Sequence, residues 1–214
     1  MNSSKYKLIV FDMDGVLFKV NNFWMKLHEA FGTLEEGQRL TDKYLKSDYG
    51  KLVEEVVEKL WKGKDIGPYL RIINSAEMFN NVLTTFHELK KKGLKIAVIT
   101  CGPKQLLDRL KVGKNYIDHE YSNDLVLKEG KVAGQFDWPV AEGRMRKVVL
   151  LQKICRQEKI SMDEVIGVAD GKTDLEMLEV CGKSIAFCPT SERIKESADV
   201  VIEKDDLLEV LKHV

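Results

Sequence analysis

The chain has 214 residues, and its 34 lysines and arginines balance 34 aspartates and glutamates, so the formal net charge is zero. This length fits one α/β domain, or one domain with a modest insertion. Hydrophobic residues make up 44% of the chain, with only 15 glycines and 4 prolines, so we expect a packed core rather than disorder. The zero net charge argues against a nucleic-acid-binding protein that depends on overall positive charge.

The sequence also lacks the signals of a membrane protein and of an oxidising compartment. No apolar run approaches the roughly 18 residues that a membrane span requires. Residues 1–7 are polar and lead directly into a short apolar strand, without the apolar core of a signal peptide. The four cysteines form no C-x-x-C pair. We therefore expect reduced thiols, a cytoplasmic protein and no zinc site, while the oligomeric state stays open.

Short apolar runs of strand length alternate with amphipathic helical segments along most of the chain. We predict strands at 7–11, 95–100, 165–169, 184–187 and 199–202, and helices at 78–92, 104–111, 143–157 and 174–180. Residues 125–136 alternate around the turn Lys128-Glu129-Gly130-Lys131, which predicts a β-hairpin. The alternation predicts a doubly wound, Rossmann-like α/β fold with a mostly parallel sheet.

The segment 18–77 interrupts this alternation directly after the first strand. It contains only helical patterns, at 22–31, 33–46 and 48–62, and these end before Gly67-Pro68. Its ten acidic and ten basic residues suit a charged helical bundle. An insertion here lies over the carboxyl end of the first strand, the edge at which open α/β sheets bind ligands.

We therefore predict two domains. The first is a catalytic core made of residues 1–17 and 78–214. The second is a helical cap, residues 18–77, that excludes water from the ligand site.

Four aspartates follow the ends of two predicted strands. Asp12 and Asp14 come after the first strand, and Asp170 and Asp174 come after 165–169. Turn formation and helix capping would explain either pair alone, but adjacent strands would bring all four into one pocket. Two like charges 4 Å apart repel by about 4 kcal/mol at an effective dielectric constant of 20. The cluster therefore predicts a bound cation, and oxygen ligands favour Mg²⁺.

Two further features suit a phosphate group. The strand 95–100 ends at Thr100, and Cys101 and Gly102 follow before a predicted helix start, where a hydroxyl and backbone N–H groups can hold an anion. Lys147 lies in the first turns of the predicted helix 143–157. Alone, these are explained by an ordinary helix cap and a solvated lysine. Beside the carboxylates, they predict a phosphoryl-binding site.

These motifs, in this order, resemble the haloacid dehalogenase superfamily and its phosphoserine phosphatase-like branch. Residues 9–16, Ile-Val-Phe-Asp-Met-Asp-Gly-Val, are similar to the first motif of the family. Thr100 matches the second motif, Lys147 the third, and Asp170 with Asp174 the fourth. The resemblance extends over essentially the whole chain, including the hairpin.

The resemblance implies a catalytic or metal-binding role for each matched aspartate. Asp12 would attack phosphorus and form an aspartyl-phosphate. Asp14 would protonate the leaving oxygen and then activate water. Asp12, the backbone carbonyl of Asp14 and Asp170 would hold Mg²⁺, with Asp174 in or near the coordination shell.

The phosphoryl oxygens would contact Thr100, the N–H groups of Cys101 and Gly102, and Lys147. Together these features imply a Mg²⁺-dependent phosphatase that acts on a small, soluble phosphomonoester, a phosphorylated metabolite. One alternative is a phosphotransferase or phosphomutase that passes the group from Asp12 to an alcohol. A second is a non-catalytic, ligand-binding member of the superfamily.

Several positions depart from the phosphoserine phosphatase pattern. Asn21 replaces the cap glutamate that recognises the substrate amine, and residues 54–57 lack the arginine that recognises the carboxylate. In the fourth motif, Ala169 replaces a usual glycine and Thr173 a common asparagine. These changes put phosphoserine in doubt as the substrate.

Cap residues near the expected site are the candidate substrate contacts. We predict Asn21, Tyr49 and Thr173 in this role, because an uncharged amide at position 21 suits a hydroxyl-bearing or otherwise non-zwitterionic substrate. Phe23 and Trp24, at helical spacing with Leu27, are instead expected in the cap core.

Overall fold

The computed structural model describes residues 5–141 and 147–214. Within these ranges, one sheet contains seven strands: β1 Leu8–Phe11, β2 Lys95–Pro103, β3 His119–Lys128, β4 Lys131–Asp137, β5 Val165–Ala169, β6 Lys183–Phe187 and β7 Val200–Ile202. Their order across the sheet is β4-β3-β2-β1-β5-β6-β7. Every neighbouring pair is parallel except β3 and β4.

The same ranges contain nine α-helices: α1 Phe23–Ala30, α2 Leu34–Tyr44, α3 Tyr49–Val53, α4 Gly67–Ser75, α5 Val82–Lys91, α6 Lys104–Asp108, α7 Lys147–Glu158, α8 Leu175–Glu179 and α9 Glu192–Ser197. A π-helical segment, Glu54–Trp61, continues directly from α3. No helix in the described part of the chain is long and apolar enough to cross a membrane.

The central strand β1 is buried on both of its faces. Ile9 and Phe11 pack in one hydrophobic cluster with Phe86 of α5, whereas Leu8 and Val10 pack in a second cluster with residues of α7. Alternate side chains of a strand point to opposite faces, so helices cover both sides of the sheet. The predicted doubly wound α/β fold is confirmed.

The structure differs from the predicted elements at β3. This strand begins at His119 and pairs in parallel with β2 before it turns into the antiparallel hairpin with β4. Only the hairpin half, 125–136, was predicted, because residues 119–124 are mostly polar and form no apolar run. The predicted turn is present, with positive φ at Glu129 and Gly130.

Two helices, α4 and α9, were not predicted. The dipeptide Gly67-Pro68 was interpreted as the end of a helical pattern, but it lies in the first turn of α4. Proline is well tolerated there, because the first N–H groups of a helix have no partner within the helix. Of the predicted helix 143–157, residues 143–146 lie outside the described residues, and α7 is described from Lys147.

The chain leaves β1 and returns to the core at neighbouring positions. The backbone N–H of Lys19 donates to the carbonyl of Glu77 at 2.8 Å, and Phe18 and Met78 form an isolated antiparallel bridge. Between these two points lie α1 to α4 and the π-helical segment. Residues 18–77 thus remain our proposed cap, and residues 1–17 with 78–214 our proposed core.

Arg109 connects the end of α4 to the core. Its Nη1 donates to the carbonyl oxygens of Ile73 and Ala76, each at 2.6 Å, and its guanidinium lies 5.2 Å from the centre of the Phe18 ring. The last carbonyls of a helix lack partners within the helix. The Arg109 side chain therefore satisfies two of these groups where α4 meets the core.

We expect Arg109→Met to lower the free energy of unfolding by about 2 kcal/mol, because two hydrogen bonds from a charged group are lost. Urea denaturation would measure this loss. Arg193→Met is the matched control, since Arg193 is exposed, and its effect should stay within about 0.5 kcal/mol. Equal stability of the two variants would contradict the role given to Arg109.

Candidate functional site

The register of the sheet brings the predicted strand-end residues to one edge. Phe11 of β1 pairs with Val98 of β2 and with Val168 of β5. Asp12 therefore lies one residue beyond the paired level, and Thr100 and Asp170 lie two beyond. In this strand order, β1 and β5 flank the point at which the connections change direction. Open α/β sheets form their ligand crevice at such a point.

Three buried carboxylates and one ammonium form the centre of the site. One carboxylate oxygen from each of Asp12, Asp170 and Asp174 lies within 4.8 Å of the others. The Nζ of Lys147 lies 2.7 Å from Asp12 Oδ1 and 2.5 Å from Asp174 Oδ1. All four side chains are buried. Within the described part of the chain, the Lys147 ammonium balances only part of the negative charge of this group.

The pKa values of these groups reflect this charge imbalance. Burial and the nearby Asp174 raise the pKa of Asp12 well above its usual range and raise the pKa of Asp170 to about 7. Burial alone would lower the pKa of Lys147, but the carboxylates of Asp12 and Asp174 outweigh it and raise that pKa. An oxygen donor set with excess negative charge fits a hard divalent cation such as Mg²⁺.

Gly15 allows the first motif to approach the carboxylate cluster closely. Its φ is +76°, and a Cβ atom at this position would lie 2.2 Å from Oδ2 of Asp170. Both the backbone conformation and the contact therefore require glycine. This places the backbone that follows Asp14 directly against Asp170.

Asp14 has one carboxylate oxygen held by the proposed cap and one without a partner. Oδ2 accepts a hydrogen bond of 3.1 Å from the N–H of Phe23, the first residue of α1. Oδ1 is buried and has no hydrogen-bond partner among the described residues. Burial raises the pKa of this carboxyl to about 6. A buried oxygen without a partner is costly, so Oδ1 is well suited to a proton or to a substrate atom.

The loop at Thr100 differs from the predicted anion site at a helix start. Strand β2 continues through Pro103, and α6 begins only at Lys104. The N–H of Gly102 donates to Thr100 Oγ1 at 2.8 Å, so the hydroxyl proton of Thr100 remains to be donated elsewhere. Burial raises the pKa of the Cys101 thiol to about 12, so it stays protonated.

Two side chains hold this loop in place by donating hydrogen bonds to the carbonyl of Cys101. Trp24 Nε1 donates to it at 2.7 Å, and Asn123 Nδ2 donates to it at 3.1 Å. Asn123 in turn exchanges hydrogen bonds with both backbone groups of Val140. The phosphate-binding position predicted at Thr100 and Cys101 is thereby held by a residue of α1 and a residue of β3.

A cavity of about 470 Å³ lies between the strand ends and helices α1 to α3 with the π-helical segment. The predicted site residues that line it are Asp12, Asp14, Asn21, Tyr49, Thr100, Cys101, Lys147, Asp170 and Thr173. Gly102 and Asp174 do not line it. Asp174 is fully buried and contacts Lys147 and the hydroxyl of Thr173.

Both aromatic residues of α1 pack in or against one hydrophobic cluster, as expected for cap core, but Trp24 also reaches the cavity. Phe23 is fully buried with Leu27, as predicted for cap core. Trp24 is only partly buried, and it lines the cavity. Its indole N–H finds a partner in the Cys101 carbonyl, and helical spacing alone cannot reveal such a long-range bond.

Comparisons with known proteins agree with this geometry. The family model of haloacid dehalogenase-like hydrolases matches residues 6–182. A phosphoserine phosphatase of Methanocaldococcus jannaschii is 33% identical, over 98% of this chain and 98% of its own length. A phosphoserine phosphatase of Archaeoglobus fulgidus is 31% identical, over 94% of this chain and 58% of its own length. This chain belongs to the haloacid dehalogenase-like hydrolases.

A solved structure supports the same assignment for this hydrolase. It is described as a phospho-aspartyl intermediate analogue of phosphoserine phosphatase, and it matches with a TM-score of 0.79 and 29% identity. The match covers 99% of the present chain and 100% of the other. The predicted resemblance to the phosphoserine phosphatase-like branch is confirmed.

Some residues of the hydrolase site were not predicted from the sequence. Lys172 and Thr190 line the cavity, and Thr190 donates from both its N–H and its hydroxyl to the carbonyl of Asp170. Phe136 of the hairpin also lines it. Lys172 stands within the fourth motif and was a visible candidate, whereas Thr190 and Phe136 come from distant segments without a sequence signal.

We expect Mg²⁺ to raise the melting temperature of the hydrolase by about 5 °C or more at concentrations well above its Kd. Asp170→Asn should abolish this rise, while the metal-free variant melts no lower than the parent, because like-charge repulsion is relieved. Thermal melts with and without Mg²⁺ would measure both effects. Asp42→Asn, at an exposed carboxylate of α2, is the control. If Mg²⁺ raised the melting temperatures of Asp170→Asn and the parent equally, Asp170 would not be a metal ligand.

Proposed function

We propose that this hydrolase cleaves a small phosphomonoester, a phosphorylated metabolite, with Asp12 as the nucleophile and Mg²⁺ as the cofactor. The chain is a phosphatase of the haloacid dehalogenase type. The observation that carries the proposal is the Lys147 ammonium between Asp12 and Asp174, with the Asp170 carboxylate beside them. This arrangement suits the joint binding of a phosphoryl group and a cation next to a carboxylate nucleophile.

The residues that would bind the phosphoryl group lie near the end of β2 and at the start of α7. The Thr100 hydroxyl accepts from the N–H of Gly102, and its own proton has no acceptor among the described residues. The Lys147 ammonium lies 2.7 Å from the proposed nucleophile. We assign the phosphoryl oxygens to these two groups and to the backbone N–H of Cys101. The prediction for Gly102 is not retained, because its N–H donates to Thr100 Oγ1 and the residue does not line the cavity. A fixed cation and fixed donors stabilise the charge of the transferring group without reorganisation.

The first chemical step transfers the phosphoryl group to the protein. A carboxylate oxygen of Asp12 forms a bond to phosphorus while the ester P–O bond breaks. The carboxyl of Asp14 gives its proton to the departing alkoxide, which leaves as an alcohol. The N–H of Phe23 occupies Oδ2 of Asp14, so Oδ1 is the oxygen available for this proton.

The second step returns the nucleophile to its starting state. A water molecule gives its proton to the Asp14 carboxylate as its oxygen bonds to phosphorus, and the bond between Asp12 and phosphorus breaks. Inorganic phosphate leaves. Asp14 is then protonated and ready to serve the next leaving group.

Mg²⁺ would be held by the Asp12 and Asp170 carboxylates and the backbone carbonyl of Asp14, with Asp174 adjacent. When bound, the ion neutralises charge, so that an anionic nucleophile can approach an anionic phosphate. The buried oxygen donors described above fit this ion.

The proposed cap, residues 18–77, would exclude bulk water from this chemistry. Its helix α1 contacts the site through Phe23 and Trp24. Asn21 and Tyr49 line the cavity on this side, with Thr173 on the side of the core. We assign these three residues to substrate contact.

We expect Asp12→Asn to reduce turnover of 4-nitrophenyl phosphate at least about 10³-fold, because an amide is not a competent nucleophile. A colorimetric assay at saturating Mg²⁺ would measure it, together with a melting curve to show that the variant is folded. Asp42→Asn should retain full activity. Undiminished turnover in Asp12→Asn would exclude Asp12 as the nucleophile.

Hydrolysis, rather than transfer to a second alcohol, predicts equal amounts of free phosphate and free alcohol. In the proposed second step the Asp14 carboxylate activates water, not a second alcohol. Addition of glycerol during turnover should therefore leave the two amounts equal. An excess of alcohol over phosphate would instead support a phosphotransferase or phosphomutase.

A further inference from the structure

The cavity has two chemically different ends. Its floor, at the strand ends, carries the charged groups described above. On its opposite side lies an apolar surface, which we call the apolar wall, formed by Met25, Leu45, Leu52, Val53, Val56, Val57 and Trp61. Uncharged polar residues, among them Asn21, Thr41 and Tyr49, line the cavity beside this wall. A phosphoryl group bound at the floor would direct the rest of its ester toward this wall.

No charged side chain of helices α1 to α3 or of the π-helical segment lines the cavity in the described part of the chain. Among the described residues, the charged side chains that line the cavity belong to the floor and its rim, where Lys172 is exposed. His28 is the one ionisable imidazole on the cap side, and burial lowers its pKa to about 4. Its Nδ1 forms a hydrogen bond of 2.9 Å with the Thr33 hydroxyl. His28 is therefore a neutral group with a hydrogen-bond partner within the proposed cap.

Helix α3 and the π-helical segment place several apolar residues on the cavity together. Leu52 and Val56 are four residues apart, as are Val57 and Trp61, and this spacing shares a face in an α-helix. Val56 and Trp61, within the π-helical segment, are five apart, and π-helical hydrogen bonds link residues at that distance. All four residues line the cavity.

This wall suits one kind of alcohol portion better than another. A zwitterionic amino-acid moiety would lose the hydration of two charges without finding an opposite charge on the wall. An uncharged apolar moiety would instead gain from burial against valine, leucine and tryptophan side chains. The cavity volume of about 470 Å³ lies within the range of small-molecule sites.

From the proposed phosphomonoesterase function, on which this step rests, we infer that the substrate class is the phosphate ester of an uncharged, predominantly apolar alcohol. The floor binds the phosphoryl group, and the apolar wall selects the alcohol. Phosphoserine, the substrate class in the names of the relatives, is a poor substrate for this chain.

The test compares two phosphate esters of primary alcohols, 2-phenylethyl phosphate and O-phosphoserine, with the full-length protein and Mg²⁺. We expect kcat/KM to be about tenfold or more higher for 2-phenylethyl phosphate. An equal or higher kcat/KM for O-phosphoserine overturns the inference. 4-Nitrophenyl phosphate, as a third ester, separates failure of the inferred substrate class from failure of the proposed function. If none of the three esters is hydrolysed, the proposed phosphatase function itself is refuted.

Val56→Thr tests the apolar wall directly, since it adds one hydroxyl at nearly constant shape. Its kcat/KM for 2-phenylethyl phosphate should fall by about three- to tenfold through KM, while inhibition by inorganic phosphate stays unchanged. Val82→Thr is the control, because Val82 is equally buried but lies outside the cavity.

Val53→Thr provides a second variant if Val56→Thr does not fold, since Val53 lines the same cavity and is only half-buried. The same fall in kcat/KM is expected. An unchanged kcat/KM in a folded wall variant would overturn the assignment of the wall to the alcohol.

Discussion

The ammonium of Lys147 lies between the carboxylates of Asp12 and Asp174, and a third carboxylate, that of Asp170, completes the group. These charges are buried, so their interactions are strong and the loss of one partner would leave the others uncompensated. The ion pairs also join three segments of the chain: the end of β1, the turn after β5, and α7. Gly15 is required beside them because any side chain would collide with Asp170. The charged centre thus constrains both the chemistry and the local backbone.

The proposed cap is attached to the core at several distinct places. Gly63 and Lys64 share backbone hydrogen bonds with Val132 of the hairpin, and Trp24 bonds the Cys101 carbonyl beside the phosphoryl position. The hydroxyl of Tyr69 in α4 donates to Gln105 of α6 at 2.5 Å. Because Asp14 also accepts a bond from α1, the orientation of the proposed acid depends on the position of the cap.

The sequence predicted the charged centre well, because parallel strands place residues that follow their ends at a common edge. Asp12, Thr100 and Asp170 needed only correct strand ends to be placed together. The polar beginning of β3 and the helix α4 were missed, since an apolar run was absent in one and Pro68 was taken for a helix end in the other. Contacts between distant segments, such as that of Trp24 with the Cys101 carbonyl, carry no periodic pattern. The helical pattern at 48–62 predicted a helix there, but neither its π-helical backbone at Glu54–Trp61 nor which of its apolar residues line the cavity.

The π-helical segment has a consequence for how relatives of this chain can diverge. A single-residue deletion within it would restore α-helical hydrogen bonding and rotate the following side chains relative to the preceding ones. A polar neighbour such as Glu58 would then take the cavity-facing position of Val57. The ligand-facing surface would change in one mutational event. The strand-end aspartates lie far from this segment in sequence and would be untouched. The apolar wall proposed to select the alcohol and the aspartates proposed to break the bond therefore lie in separate stretches of the chain, so the wall can change while the aspartates are kept.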